Sequence, residues 1–191
     1  MSDTLKKNRM ASLEEHHRIS QFYFHEARLL DERQYQQWLA LLTKDIVYTV
    51  PARHTPFVDP TKRETEALLN IEQEMSSGLE PPFRDDNHLT LSIRVMRAFK
   101  LNSWTDNPPA RTRRFVSNIE AVAVDAADES DSFDVYSNLL LYFSRYAQDN
   151  HVYTARRHDF LRNTEAGLKI ARREVLLDWN VITGPSVGLF F

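Results

Sequence analysis

The stretch from His151 to Arg162, HVYTARRHDFLR, and the stretch from Leu168 to Asn180, LKIARREVLLDWN, decide the architecture. Each is rich in β-branched, aromatic and aliphatic residues and contains no proline, the composition of a strand. The break between them, Asn163-Thr164-Glu165-Ala166-Gly167, is built of turn-forming residues. A parallel crossover needs a dozen residues or more, so a break this short joins antiparallel neighbours. Successive side chains on a strand face opposite sides, so Arg156-Arg157 and Arg172-Arg173 each send one guanidinium to each face. A guanidinium on the core side requires a carboxylate, and Asp159, Glu174 and Asp178 stand on the same strands to supply it. The planar, bidentate fork of arginine suits such a site. The expectation is an internal or intersubunit ion-pair network, with a phosphate or anion groove as the alternative, and Arg111, Arg113 and Arg114 add to the same cationic set.

Two further β-rich runs precede these strands, over about 113–125 and 133–147. They are separated by Ala126–Ser132 and closed by Gln148-Asp149-Asn150, so four strands follow one another as a meander. The first half of the chain reads differently. Ser12-Leu13-Glu14-Glu15 is a capping box, and Ile19, Phe22, Tyr23, Ala27 and Leu30 recur at helical spacing after it. Asp31-Glu32-Arg33-Gln34 predicts a second cap, opening a short helix with Tyr35, Trp38, Leu39 and Leu42 inward. Ile46–Val50 reads as a strand stopped by Pro51. Thr61-Lys62-Arg63-Glu64 predicts a helix running through Ala67, Leu68, Ile71 and Met75 to Gly78, ahead of Pro81-Pro82. Segment 87–100 alternates like a strand at Leu89, Leu91, Ile93 and Val95 but spaces Leu89, Ile93, Met96 and Lys100 like a helix. Cap candidates at Asp85-Asp86-Asn87 favour the helix. Two prolines make Trp104–Ala110 irregular. Helices first and a meander afterwards spell an α+β fold, a strongly curved antiparallel sheet packed on N-terminal helices. The 191 residues suit one domain, with residues 1–11 as a flexible tail.

Composition limits the chemistry. Hydrophobic residues make up 42% of the chain and charged residues 27%, enough for a core. With 24 Lys+Arg against 27 Asp+Glu the net charge is -3, which offers no cationic surplus for nucleic acid. The chain has no cysteine, so disulfides, thiolate nucleophiles and zinc–thiolate or cysteine-held iron–sulfur sites are excluded. Four glycines, Gly78, Gly167, Gly184 and Gly188, are too scattered for a dinucleotide fingerprint or a P-loop. The polar start lacks the apolar core of a signal peptide and no apolar run is long enough to span a membrane, so a cytoplasmic location is expected.

Seven histidines remain as candidate acid–base groups. His16 and His17 read as exposed residues at a helix start, and His25 as a core histidine beside Phe22. Asp45, His54, Asp85, Asp86 and His88 fall near loops that would rim a curved sheet, where a histidine and a carboxylate could abstract a proton from a carbon acid. The plainer reading is that the aspartates cap a helix and the histidines are surface groups. The C-terminal Val187-Gly188-Leu189-Phe190-Phe191 is apolar to its last residue, so it is expected to dock on the fold or on a partner.

The stretch Trp104 to Asn118, WTDNPPARTRRFVSN, resembles the W-x-x-N/D-P-P-S-R-T-R-H-x-V-S-N block of ring-hydroxylating dioxygenase β (small) subunits. Phe22–Leu30 with Trp38–Leu42 resembles that family's FYxxEAxLLD…WLxLL opening. Asp85-Asp86 with Arg94-Val95 resembles its DDxxxLxxRVxR segment. Tyr153–Leu161 resembles its YxGRRxDxLR segment, Lys169–Arg173 with Leu176-Leu177-Asp178 resembles its KIARRxxLLD segment, and Phe190-Phe191 matches its usual end. Ala110, Arg114 and Ala155 depart from the pattern, and segment 52–82 is longer than in many relatives.

The resemblance implies the cone-shaped fold of nuclear transport factor 2 and ketosteroid isomerase. It implies a catalytic α subunit carrying a Rieske 2Fe–2S cluster and a mononuclear Fe(II). Such complexes are commonly α₃β₃ hexamers, fed with electrons from NAD(P)H by a reductase, often through a ferredoxin, and they convert an aromatic ring to a cis-dihydrodiol. On this reading the present chain holds no catalytic, cofactor or metal residues. Its subunit contacts are expected at Trp104, Asn107, Pro108, Pro109, Arg111, Arg113, Arg156, Arg157, Arg173, Asp178, Phe190 and Phe191. The competing expectation is a stand-alone cone-fold isomerase or dehydratase, or a small-molecule binding module in the same cavity, with His54 or His88 acting with Asp45 or Asp85.

Overall fold

Helix α1 (Leu13–Asp31) begins where Ser12 and Glu15 satisfy each other's main-chain N–H groups, at 3.3 and 2.7 Å. Two further hydrogen bonds from the Arg9 guanidinium, each 2.7 Å, help hold the Glu15 carboxyl at a pKa of about 2. The structure is a computed structural model that describes residues 9–54, 61, 74–75, 81–100, 108–126, 129–179 and 188–191. Most of the helix expected after Thr61, together with Trp104 and Asn107, lies outside the described residues. The expected tail, by contrast, is pinned from Arg9 onward. Strand β1 (Arg9–Met10) pairs antiparallel with Ala123 and Val122, and Ala11 N–H continues the pairing to the Ala121 carbonyl at 3.0 Å.

Helix α1 buries Ile19, Tyr23, Ala27, Leu29 and Leu30, and with them one carboxylate, Glu26. Its last residue, Asp31, does not cap the next helix as expected. The Asp31 carboxylate instead accepts the main-chain N–H of Arg114 at 2.9 Å and its guanidinium at 2.5 Å. Arg33 turns the chain at φ 60°, and α2 (Tyr35–Leu39) follows with no side-chain cap, held by the buried Trp38. Strand β2 (Leu42–Val50) and strand β3 (Arg84–Asn87) come next, and then α3 (His88–Ala98). Asn87 and Thr90 form the reciprocal cap of α3, at 2.9 and 3.0 Å, which settles segment 87–100 as a helix. Its buried stripe is Leu91 and Val95, while Leu89, Ile93 and Met96, the stripe read from spacing, face outward.

The meander follows as β4 (Arg111–Ala126), β5 (Glu129–Arg145), β6 (Asp149–Thr164) and β7 (Gly167–Leu177). The sheet order is β1-β4-β5-β6-β7-β2-β3. Every pairing is antiparallel except β2 with β7, which is parallel because the whole meander separates them in sequence. The sheet is therefore the curved antiparallel one expected, with a single parallel junction where β2 meets β7.

Two register shifts decide which side chains point inward. On β4 the shift lies between Ser117 and Glu120, with Asn118 at φ 52°; the buried residues change from Arg114 before it to Ala121 and Ala123 after it. On β7 the partner of Leu161 is Ile170 and the partner of Phe160 is Arg172, so Ala171 is the extra residue. Ile170 and Arg173 are consequently both buried, and Arg172 faces out.

The C-terminal segment docks on the fold. The Phe190 ring lies 4.5 Å from Trp38, and the Phe191 ring meets Tyr153 at 5.8 Å. Three arginines collect the main-chain oxygens of this segment. Arg94 donates to Gly188 and Leu189 at 3.2 and 3.0 Å, Arg114 to Phe190 at 2.6 Å, and Arg173 to Phe191 at 3.0 Å. Tyr48 closes the set, its hydroxyl accepting the Phe191 N–H at 2.9 Å and donating to the Phe191 oxygen at 3.2 Å. Deleting Phe190 and Phe191 removes two rings, each worth about 1.5–3 kcal/mol when buried, and strips acceptors from two buried guanidiniums. The expected outcome is a fall in thermal midpoint of well over about 10 °C; an unchanged melting curve would mean the tail does not belong to the core.

Candidate functional site

The interior carries a cluster of charge that the strand alternation foretold only in part. Arg157 on β6 and Arg173 on β7 point inward and are 1% and 0% exposed. Their carboxylate partners are Asp159 on β6 and Glu26 on α1, 0% and 1% exposed. Arg173 grips Asp159 through Nε and Nη2 at 2.8 and 2.7 Å, and Glu26 through Nη1 and Nη2 at 2.6 and 3.0 Å. Arg157 reaches Glu26 at 3.4 Å and Ser137 at 3.3 Å, with its guanidinium 5.0 Å above the Tyr23 ring. Trp38 Nε1–H and Tyr23 O–H donate to Glu26 and Asp159, at 3.1 and 2.8 Å. Two positive and two negative groups thus cancel inside the fold, with almost every oxygen supplied with a donor.

Burial alone would raise the Glu26 pKa, but the Arg173 and Arg157 charges outweigh it and hold the carboxyl below its ordinary range. Burial would lower Arg173 in turn, and Asp159 and Glu26 drive it well above its ordinary value. The Tyr23 hydroxyl is pushed far up by burial and by Asp159. All three groups are locked in one protonation state at neutral pH, the opposite of what proton transfer needs.

Glu26 was not foreseen as a partner, although it stands in the stripe Ile19, Tyr23, Glu26, Leu30, where a lone carboxylate on an apolar face was the available signal. Glu174 and Asp178, named as core-side partners, are not. Glu174 is half-buried, and Asp178 is exposed and pairs with Arg53 at 2.9 Å.

The candidate acid–base group does not assemble. Asp45 pairs with Arg162 at 3.1 Å, and Asp86 pairs with Arg94. His88 faces Lys44 Nζ and Ser92 Oγ, each at 3.4 Å, and burial together with the Lys44 and Lys169 charges lowers its pKa. His54 is exposed and touches the fold through its main-chain N–H. His25 is exposed and near Arg28 at 3.1 Å rather than in the core, because the helical turn points it away from Tyr23 and Glu26. His16 is half-buried against the Ile119 carbonyl at 2.9 Å, not exposed. The one histidine–aspartate contact among the described residues, His158 to Asp134 at 3.2 Å, lies on the outer sheet face, where the ring stacks on Tyr136 at 4.3 Å. No group of three metal-ligating side chains occurs among the described residues.

The outer face of β4, β5 and β6 is built differently. Register places Arg113, Tyr142 and Val152 in one row, Phe115, Leu140 and Thr154 in the next, and Ser117, Asn138 and Arg156 in a third. Phe115, Leu140, Tyr142 and Val152 are exposed and contiguous on this face. A shallow hollow of about 360 Å³ beside them is lined by Leu140, Arg156 and Asp178 among others. Pro108, Pro109, Arg111 and Arg113 are likewise exposed, so these expected contact residues stand on the surface. Arg157, Arg173, Phe190 and Phe191 do not: they are buried within the monomer, where ion pairs and ring contacts use them up. Their expected place at a subunit contact is corrected to the core.

The chain is thus an α+β fold with charge-neutralised guanidiniums inside and, outside, an exposed apolar sheet face of the kind that marks interaction surfaces. A family model described as "Ring hydroxylating beta subunit" matches residues 25–184, and the chain belongs to that family. It is 34% identical to the biphenyl 2,3-dioxygenase subunit beta of Rhodococcus jostii (strain RHA1), over 92% of this chain and 88% of that one. It is 31% identical to the benzene 1,2-dioxygenase subunit beta of Pseudomonas putida, over 98% and 94%. Among solved structures, naphthalene 1,2-dioxygenase with indole bound in its active site superimposes with a TM-score of 0.72 at 21% identity, covering 95% of each chain. The chain is thus a β subunit of the ring-hydroxylating dioxygenase type. No helix among the described residues is long and apolar enough to cross a membrane.

Glu26→Gln leaves two buried guanidiniums against one carboxylate and should cost about 3–5 kcal/mol at neutral pH, read by urea unfolding. Because the folded-state pKa of Glu26 lies below the ordinary 4.5, its contribution is present above that value and is lost as pH falls through the lower, folded one. The gap between wild type and variant should therefore close below about pH 4.5; a gap independent of pH would contradict the ion-pair account.

Proposed function

We propose that this chain is the non-catalytic, structural subunit of a cytoplasmic α₃β₃ dioxygenase that adds both atoms of O₂ to an aromatic hydrocarbon, giving a cis-dihydrodiol. The α subunit would hold the Rieske 2Fe–2S cluster and the mononuclear Fe(II). Electrons would come from NAD(P)H through a reductase, with or without a ferredoxin. The substrate class rests on the biphenyl and benzene dioxygenase subunits that the chain resembles along nearly its whole length.

The observation that carries the structural role is the outer sheet face. Phe115, Leu140, Tyr142 and Val152 leave apolar area exposed, flanked by Arg113 and Arg156. Burying that area against α subunits and other β subunits supplies the association energy, and the two arginines set orientation by meeting partner carboxylates. The interior supports the same reading. Where a stand-alone cone enzyme would place its acid and base, this chain has rings and a neutralised ion cluster. The buried charges make the monomer a stiff platform whose register does not slip, so the partner meets one fixed surface.

The test is co-expression with the catalytic subunit, followed by gel filtration and iron analysis. Wild-type chain purified alone should be colourless and free of turnover, and the co-purified complex should contain iron and oxygenate an aromatic ring. A double change, Phe115→Lys with Leu140→Glu, which sets opposite charges across the strand pair, should abolish co-purification while shifting the unfolding free energy of the isolated chain by no more than about 1 kcal/mol. Normal hexamer yield from that variant would sink the assignment of this face. Ring oxygenation that survives in the complex with His54→Ala and His88→Ala would agree with a chain that supplies no acid or base; its abolition by either change would point to catalysis here.

A further inference from the structure

A cleft of about 200 Å³ opens between α3, the start of β3, the start of β4 and the C-terminal segment. Four guanidiniums line it, those of Arg84, Arg94, Arg97 and Arg114. Asp86 holds Arg94, and Asp31 holds Arg114 at 2.5 Å. Asp31 is also engaged by the Arg114 N–H and the Thr112 hydroxyl, at 2.9 and 3.1 Å, so it has little left to offer. The other hydrogen bonds of Arg94 and Arg114 among the described residues run to the Gly188, Leu189 and Phe190 carbonyls and the Thr112 hydroxyl, which are dipoles and leave net charge in place. The buried Arg114 Nε has no acceptor among the described residues. Arg97 sits exposed on the rim, outside every ion pair formed among the described residues. Even with Arg84 set aside, Arg94, Arg97 and Arg114 outnumber the two carboxylates. Burial and the neighbouring Arg94 and Arg97 charges hold Arg84 below its ordinary pKa, as crowded cations do.

Guanidiniums offer only donors, in a planar fork that fits the oxygens of carboxylate and phosphate. A cleft of about 200 Å³ holds several groups of water size, each about 30 Å³, which is room for one such head group with part of its hydration. We propose that this cleft is an oxyanion site, taking a carboxylate or phosphate group between Arg94, Arg97 and Arg114. The anion comes either from a free small molecule or from an acidic side chain of the assembled partner, and the chemistry of capture is the same. Arg94 and Arg114 also hold the C-terminal carbonyls, so an occupied cleft tightens the segment that closes the core. The site stands apart from the outer sheet face, and its first test does not depend on assembly.

The full-length chain is titrated with inorganic phosphate and, separately, with acetate at constant ionic strength. Binding is followed by the thermal midpoint and by NMR of the arginine Nε–H groups. Saturable binding is expected, with the Arg114 Nε–H signal moving. Arg97→Gln and Arg94→Lys, which keeps the charge facing Asp86 but loses the fork, should each weaken it by at least about tenfold. Arg172→Gln, on the outer face, should leave it unchanged. The complex with the catalytic subunit is then titrated in the same way. Binding retained in the complex assigns a free anion. Binding lost there, with assembly loosened by Arg97→Glu, assigns a partner carboxylate. No saturable response to either anion in the free chain, or equal affinity in Arg97→Gln, Arg94→Lys and wild type, would overturn the proposal.

Discussion

Two guanidiniums placed on the inner face of a sheet set the terms for everything around them. A buried arginine without a counter-charge costs more than a domain of this size can sustain, so β6 and β7 cannot close over Arg157 and Arg173 unaided. Asp159 supplies half of the answer from within the sheet, and α1 must supply the rest by bringing Glu26 to them. This requirement fixes the rotation of α1 about its axis and its height against the sheet, because only one setting puts the carboxylate between both arginines. Trp38 and Tyr23 then find their donors' partners, and the ring of Phe190 fills the space beside Trp38. Helix placement, strand register and the seating of the C-terminal segment are thus consequences of one electrostatic demand.

Much of this plan was readable from the chain. Strand alternation showed that each arginine pair must divide between the two faces, and the turn-forming breaks laid out the meander close to its observed limits. Which arginine of the pair on β7 goes inward was not readable, because it depends on Ala171 as an extra residue, and a bulge has no fixed sequence signature. Glu26 was hidden for a different reason. Helical spacing marks apolar residues as core and passes over a carboxylate among them, and its partners lie 131 and 147 residues away in the chain. Asp31 misled in the reverse direction. It has the right residue type and place for a helix cap, and the tertiary contact with Arg114 won because a charged pair outweighs a local cap.

The outer surface was legible as residue types and obscure as an arrangement. Arg111 and Arg113 stand exposed and Arg156 half-buried, yet the apolar row of Phe115, Leu140, Tyr142 and Val152 beside them needed the pairing register to appear. The division of labour follows from that geometry. Charge is neutralised internally, and apolar area is left exposed on the outer face.

The ion cluster also constrains how such a sequence can drift. Replacing any one of Glu26, Arg157, Asp159 or Arg173 by a neutral residue leaves a stranded charge, so a lineage losing one charge at a time meets a steep barrier at each of the four sites. Escape requires concerted replacement, two or more positions in one step or through a compensating third. Across descendants these sites should therefore behave as one inherited character, exchanged whole or left alone, while the surface arginines vary independently of one another.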